Sequence, residues 1–200
     1  MDRGIIQLSR QHRDRAAETL TAAFHDDPAM VHMLPDEASR PARLRKLMSW
    51  MVDQHLTIGL VLGTENAGAV TLWRRPGKVH YHEPLWHPAA LRFIGIFGRH
   101  LPRALRTDDG ISGHLPHGED WLYLKMAAVH PDQQGQGLGG AMIRAGLAEA
   151  AKLGVPSVLE TATPSNVGLY QRLGYQIASE WDVPKGGPHF WTMTTAAPAR

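Results

Sequence analysis

The chain has 200 residues, 43% of them hydrophobic, enough for one domain with an ordinary core or at most two small ones. Lys and Arg number 21 against 19 Asp and Glu, and a formal charge of +2 makes no field of the kind that nucleic acid demands. With no Cys, a disulfide framework, a thiolate metal site and a Cys nucleophile are excluded together.

The first residues, Met1 to Arg15, carry charge where a secretory signal needs an apolar stretch, and no apolar run approaches the ~20 residues of a membrane span. The expectation is a soluble, cytoplasmic protein with no membrane partner. Ile5, Ile6 and Leu8 suit an edge strand, and Ala16, Ala17, Leu20, Ala23 and Phe24 recur at helical spacing. Asp27-Pro28 ends that helix, and Ala29 to Leu34 predicts another turn or two. Ala42 to Ile58 is again helical in period, with Leu44, Leu47, Met48, Met51, Val52 and His55 on neighbouring turns. Leu60 to Thr64 and Ala69 to Trp73 then read as a hairpin around Glu65-Asn66-Ala67-Gly68.

From Pro76 to Glu119 Pro, Gly and His are frequent, and the pattern predicts an irregular insertion with one helix, about Ala89 to His100. Trp121 to Val129 is a near-continuous apolar strand, Leu138 to Leu153 a helix and Pro156 to Thr161 a strand. Ile143, Leu147, Ala150 and Leu153 share the apolar side of that helix, opposite a polar arc of about 140° holding Arg144, Glu149 and Lys152. A short helix from Ser165 stops at Gly174, and Tyr175 to Asp182 and His189 to Thr194 close the chain as two strands. The fold class is α/β (α+β): a mixed sheet flanked by helices, in a single domain over residues 1–200.

Between Val129 and the long helix lie Gln133-Gln134-Gly135-Gln136-Gly137-Leu138-Gly139-Gly140, four glycines in six positions. Glycine permits positive φ and close approach to the backbone, and the helix N-terminus adds unpaired N–H groups and a positive dipole end. An anion such as a pyrophosphate fits there, whereas the bland alternative is a turn that merely permits close packing. No Lys-Ser or Lys-Thr follows, so a P-loop fails, and the spacing is not that of a dinucleotide fingerprint.

Gln134-Gly135-Gln136-Gly137-Leu138-Gly139 resembles the Q/R-x-x-G-x-G/A acyl-CoA motif of the GNAT superfamily of N-acetyltransferases, and Asn166 to Tyr175 resembles its N-x-x-x-Y-x-x-x-G-F/Y segment. Leu159-Glu160-Thr161, Asp182-Val183-Pro184 and Trp191 to Thr194 are also similar to puromycin N-acetyltransferases of that superfamily, as are Thr21 to Phe24 with Pro28 and Val70 to Trp73 with Pro76. The resemblance implies a seven-stranded, mostly antiparallel sheet and direct transfer of acetyl from acetyl-CoA to a primary amine of a small molecule, without metal. It also implies roles. Ala128, Val129, Gln134, Gln136, Gly137, Leu138, Gly139, Gly140, Asn166 and Tyr170 hold the acyl donor, and Tyr170 faces the departing sulfur. Gln134 stands where Arg is commoner in the motif, one positive charge fewer beside the pyrophosphate.

An amine of pKa about 10.4 costs roughly 4–5 kcal/mol to deprotonate at pH 7, so a base helps. Glu160, a carboxylate inside Val158-Leu159-Glu160-Thr161, is a candidate whose pKa burial would raise, or else a structural hydrogen-bonding group. Glu119 and Asp120 only precede their strand. Asn166 and Tyr170, four residues apart, share one helix face, although a Tyr there also suits simple packing. A Tyr near pKa 10 protonating a thiolate near 8.5 is uphill by about 2 kcal/mol, which favours a hydrogen bond over full transfer. Phe24, Asp27 and Tyr123 are candidates for the acceptor side, Asp26 and Trp86 weaker ones. His80, His82 and His87 invite a metal reading, since His80-x-His82 puts two imidazoles on one strand face, but no second cluster completes the ligand set, and His114 and His117 read as surface or pocket residues. Trp50, Trp73, Trp121 and Trp191 read as core. Competing readings are a protein N-terminal or lysine acetyltransferase and a silent acyl-CoA-binding module, the assembly being monomer or homodimer.

Overall fold

Seven strands form one sheet in the order β1-β2-β3-β4-β5-β7-β6. The computed structural model describes residues 4–81, 88–118 and 120–197, and of residues 88–90 the backbone alone. Strand β1 (Ile5–Gln7) edges the sheet beside the hairpin of β2 (Gly59–Thr64) and β3 (Ala69–Arg74). β3 pairs antiparallel with β4 (Leu122–Val129), β4 pairs parallel with β5 (Ser157–Thr161), and β7 (His189–Thr194) runs antiparallel to both β5 and β6 (Gln176–Asp182). The sheet is mixed and mostly antiparallel, as the resemblance implies. Helices α1 (Arg13–Ala23), α2 (Pro28–Met33) and α3 (Arg40–Ile58) fill the first crossover, and α6 (Leu138–Leu153) and α7 (Pro164–Arg172) flank β5.

Period-2 alternation sends strand residues to two cores. Val61, Val70, Leu72, Met126 and Ala128 pack with Leu20, Leu44 and Met48 from α1 and α3. Leu60, Leu62, Trp73, Leu122 and Leu124 pack with Ile143 and Ala150 from α6 and with Tyr170 and Tyr175. Leu124 and Met126 would share a face in a regular strand, yet they reach opposite cores. The cause is a bulge: Leu72 pairs with Met126 and Trp73 with Leu124, leaving Lys125 as the extra residue. Leu153, expected on the buried side of α6, is instead exposed at its last turn.

The segment expected to be irregular is mostly helical. α4 (Pro88–Phe97) answers the single predicted helix, and α5 (Leu101–His114) follows it. The period of Leu101, Ala104, Thr107 and Ile111 is helical but interrupted in sequence by Asp108, Asp109 and Gly110. The structure gives the glycine its reason: a Cβ at Gly110 would lie 2.5 Å from the Trp181 ring, so only a bare backbone lets α5 seat there. His114, one turn on, stacks on the same indole, which stacks in turn on Phe190. Among the described residues no helix is long and apolar enough to cross a membrane.

Candidate active site

β4 and β5 run side by side for three residue pairs, the last being Leu124 with Leu159, and then part. The remainder of β4 stays bonded to β3. The His130 N–H donates to the Gly68 carbonyl at 2.8 Å, and since bonded pairs alternate in an antiparallel ladder, Ala128 pairs with Val70 in the same way. The N–H groups of Ala127 and Val129 therefore face the gap that β5 has left. This corrects the expectation for Ala128, whose N–H is committed to β3, and adds Ala127 beside Val129.

Beyond the strand a short turn, Pro131–Gln133, leads into the glycine loop. Gly135 and Gly137 have φ of 77° and 71°, a left-handed backbone that other residues adopt only with strain, and Gly137 caps α6. The first helical bond runs from the Ala141 N–H to the Gly137 carbonyl at 3.2 Å, so Leu138, Gly139 and Gly140 have no acceptor within the helix for their own N–H groups. Space lies over this cradle: a Cβ on Gly135 would meet nothing within 4 Å, and one on Gly139 only Val129 Cγ2, at 3.7 Å. The Gln134 amide donates to the Val129 carbonyl at 3.2 Å, which ties the loop back to the strand. Gln136 lies exposed at its tip. Residues 134–140 thus fit a phosphate-bearing acyl donor by backbone donors and dipole. The guanidinium of Arg144 adds a charge that sequence reasoning placed only on a solvent arc: it lies 3.5 Å from where a Cβ of Gly140 would stand.

The gap opens into a cavity of about 720 Å³. Its polar wall is made by Glu160, Lys125, Tyr170, Asn166, Arg74 and Asp27, and its apolar wall by Phe24 at the end of α1 and by methionines and aromatics of α2 to α5, among them Met33, Met51, Phe93 and Phe97. Asp108 and Asp109 join it from α5. Trp50, expected in the core, also reaches this wall and meets Phe93 edge to face at 5.1 Å. Leu91, Ile94 and Leu105 line the cavity while remaining exposed, Leu91 at 72%, and so form an apolar mouth between α4 and α5.

Glu160 is 6% exposed in its side chain and lies across the gap from Lys125, whose Nζ is 3.3 Å from Oε1. The Tyr123 hydroxyl donates to the same oxygen and accepts from Lys125 Nζ at 3.0 Å, whereas Oε2 has no hydrogen-bond partner among the described residues. Tyr123, expected on the acceptor side, is fully buried and outside the cavity wall. Strand alternation puts it opposite Leu122 and Leu124, packed with Val79, Leu115 and Val158, and it reaches the cavity through Glu160. Burial, reinforced by the neighbouring Glu160 charge, pushes its pKa well above the ordinary value, so it remains a donor.

Asn166 and Tyr170 both line the cavity from α7. The Tyr170 hydroxyl has no hydrogen bond among the described residues, and burial, then the charges of Glu160 and Asp27, raise its pKa. Such a hydroxyl donates a hydrogen bond without surrendering its proton. Asp27 caps α2, Oδ1 accepting from the Ala29 and Met30 N–H groups, and Oδ2 accepts from Thr163 Oγ1 at 3.3 Å. Burial raises its pKa against those three bonds. Asp26 and Asp120 lie exposed.

Lys125 and Arg74 were missed by sequence reasoning, although a Lys inside an apolar strand is a visible signal. His80 stacks near His117 at 6.1 Å, and among the described residues no group of three His, Asp or Glu could hold a metal ion. His82, Trp86, His87 and Glu119 lie outside the described residues.

Residues 104–177 match the family model described as acetyltransferase (GNAT) domain. An uncharacterized N-acetyltransferase of Schizosaccharomyces pombe is 27% identical over 180 residues, covering 80% of this chain and 69% of the relative. Among solved structures, a Corynebacterium glutamicum protein described as histone acetyltransferase and related acetyltransferase superposes with a TM-score of 0.74 at 21% identity, over 100% of this chain and 99% of its own. Arylalkylamine N-acetyltransferase 2 of Aedes aegypti superposes with a TM-score of 0.64 at 11% identity, over 96% and 97%. At these identities the likeness is one of fold.

Proposed function

We propose that this acetyl-transferring enzyme of GNAT fold moves an acetyl group from acetyl-CoA to the primary amine of a small molecule, by direct attack with both substrates bound. The observation that carries the reading is the meeting of two surfaces at the parting of β4 and β5. On one side lie the N–H groups of Val129, the glycine loop and α6, and on the other a closed-over cavity holding Glu160, Asn166 and Tyr170. The roof made by α4 and α5 favours a small acceptor over a protein chain. Solved structures of similar fold include an enzyme named for arylalkylamines, and the apolar wall suits such an acceptor. An aminonucleoside, the class suggested by the likeness to puromycin N-acetyltransferases, also falls within it.

Acetyl-CoA, when bound, supplies a thioester whose carbon accepts the amine lone pair as the C–S bond breaks, giving an amide and a free thiol. The chain provides four things. Val129 and Ala127 turn N–H groups to the gap, where they can hold the thioester oxygen as negative charge grows on it. The α6 N-terminus and Arg144 hold phosphate charge. Glu160, paired with Lys125, takes the acceptor's proton directly or through water. Tyr170 donates a hydrogen bond to the departing sulfur, and its raised pKa makes this contact, rather than outright proton loss, its contribution.

The test is thiol release from acetyl-CoA in the presence of arylalkylamines, polyamines, puromycin, amino acids or lysine peptides, run beside Tyr170→Phe. Release that depends on a small amine and falls in the variant supports the proposal. Release with peptides alone would move the acceptor to proteins, and calorimetric binding of acetyl-CoA without turnover on any acceptor would indicate a silent module.

A further inference from the structure

The cavity wall contains a cation that the transfer chemistry does not use. Arg74 ends β3, is 8% exposed and lines the cavity beside Lys125. Its Nη1 donates to the Val79 carbonyl at 3.1 Å and its Nη2 to Gln54 Oε1 at 3.2 Å, both neutral acceptors. Nε has no hydrogen-bond partner among the described residues, and the guanidinium carbon stands 5.8 Å from the centre of the Tyr123 ring. Among the described residues no carboxylate forms an ion pair with it, although Asp108 lines the same cavity and has Tyr123 as a common neighbour. Lys125 takes Glu160, and Asp27 is spent on the α2 N-terminus and Thr163. An arginine cannot relieve burial by losing its proton, so a guanidinium left without a counter-charge is costly in the empty protein and is relieved by an anion brought to it. These two bonds leave spare N–H groups on its two terminal nitrogens.

Arg74 and Glu160 are linked through one side chain. The guanidinium lies over the face of the Tyr123 ring, and the carboxylate accepts from its hydroxyl. An acceptor whose amine approaches Glu160 therefore has a buried cation within the span of a tyrosine, and the methionine and aromatic wall for its remaining bulk. We propose that Arg74 binds a carboxylate of the acceptor, so that the preferred acceptor is an amino acid with an apolar side chain rather than a simple amine. This rests on the small-amine reading above and narrows it.

The experiment compares phenylalanine, phenylalaninamide and 2-phenylethylamine at saturating acetyl-CoA, which keep the aromatic group and the amine while changing only the anion. The wild type is expected to show kcat/KM at least tenfold higher for phenylalanine than for the amide, even though the amide's amine gives up its proton more readily. Arg74→Met should bring the three within about twofold of one another, and Arg74→Lys should restore part of the preference. Calorimetry with N-acetylphenylalanine and its amide gives a second readout that needs no turnover and, on the wild type, no variant. Equal use of the three acceptors, or preference for 2-phenylethylamine, overturns the inference while leaving the small-amine reading intact. A uniform fall on all three in Arg74→Met also overturns it, because that marks a structural residue. If none of these acceptors and none of the wider panel releases thiol, the underlying reading falls and this inference with it.

Discussion

Lys125 and Glu160 face one another across the point where β4 and β5 part, joined at 3.3 Å by a pair that is almost wholly buried. The bulge that makes Lys125 the extra residue of β4 aims it at this gap. Removing one member of a buried pair strands the other, at a cost of about 3–5 kcal/mol. Lys125→Met should thus lower unfolding free energy by that amount in urea melts. Adding Glu160→Gln should return much of it, with the double variant less damaged than the sum of the singles. On activity the order reverses: Glu160→Gln alone should lower kcat/KM roughly 10²-fold while leaving acetyl-CoA affinity within twofold.

Tyr170→Phe keeps the packing against Tyr175, whose ring lies 5.9 Å away, and deletes the hydroxyl. The expected loss is about 10²-fold in kcat, with little change in KM for either substrate, as for a donor used mainly at the transition state. The pH profile offers a separate check. Burial raises the Tyr170 pKa above its ordinary value near 10, so the protonated, donating form persists to higher pH. In the wild type, kcat should therefore hold through pH 10, and a fall centred well below that would contradict the assignment.

Arg144 stands over the first turn of α6, where Gln134 contributes no charge. Arg144→Ala should raise KM for acetyl-CoA severalfold and leave kcat unchanged, with an effect that shrinks as salt is added. Gln134→Arg should lower KM in turn. Inhibition by dephospho-CoA, compared with that by CoA in wild type and variant, would show whether the charge is felt at the 3′-phosphate or at the pyrophosphate.

His55 is fully buried in α3, its Nδ1 against the Met51 carbonyl at 2.7 Å and its Nε2 without a partner among the described residues. Burial, helped by the Arg74 charge, depresses its pKa from 6.5 to about 3. The unfolded chain then binds a proton that the folded protein refuses, so stability is lost as pH falls below about 6.5 and the loss continues to about 3. The slope from this residue approaches about 1.4 kcal/mol per pH unit. His55→Gln should flatten urea-derived stability against pH over this window, and an unchanged slope would assign acid sensitivity elsewhere.

Much of the fold was legible because strand alternation and helix period survive in the core-forming stretches. The hairpin at residues 59–74 and the strand, glycine loop and helix at residues 122–153 illustrate this. The donor side was legible for a related reason: a backbone that must turn left-handed at Gly135 and Gly137 requires glycine and so leaves a spelling. The acceptor side was not. Helix α5 hides its period behind Gly110, whose need arises only from Trp181, 71 positions away and visible only in three dimensions. Lys125 and Arg74 owe their roles to a bulge and to the absence of a counter-ion, neither of which local sequence encodes. Tyr123 alternates normally with Leu122 and Leu124, but that it is covered by Val79, Leu115 and Val158 rather than open to the cavity depends on how distant segments pack over it.

The brevity of the β4–β5 pairing has a mechanical meaning. Three residue pairs, with the Ser157 hydroxyl on the Leu122 carbonyl, form the seam between two plates of sheet, one running from β1 to β4 and the other from β5 to β6. Past the seam the plates are tied by the Lys125–Glu160 pair and, through α2, by Asp27 on Thr163. A donor lying in the wedge with its chain against Val129 would act as further rungs between them.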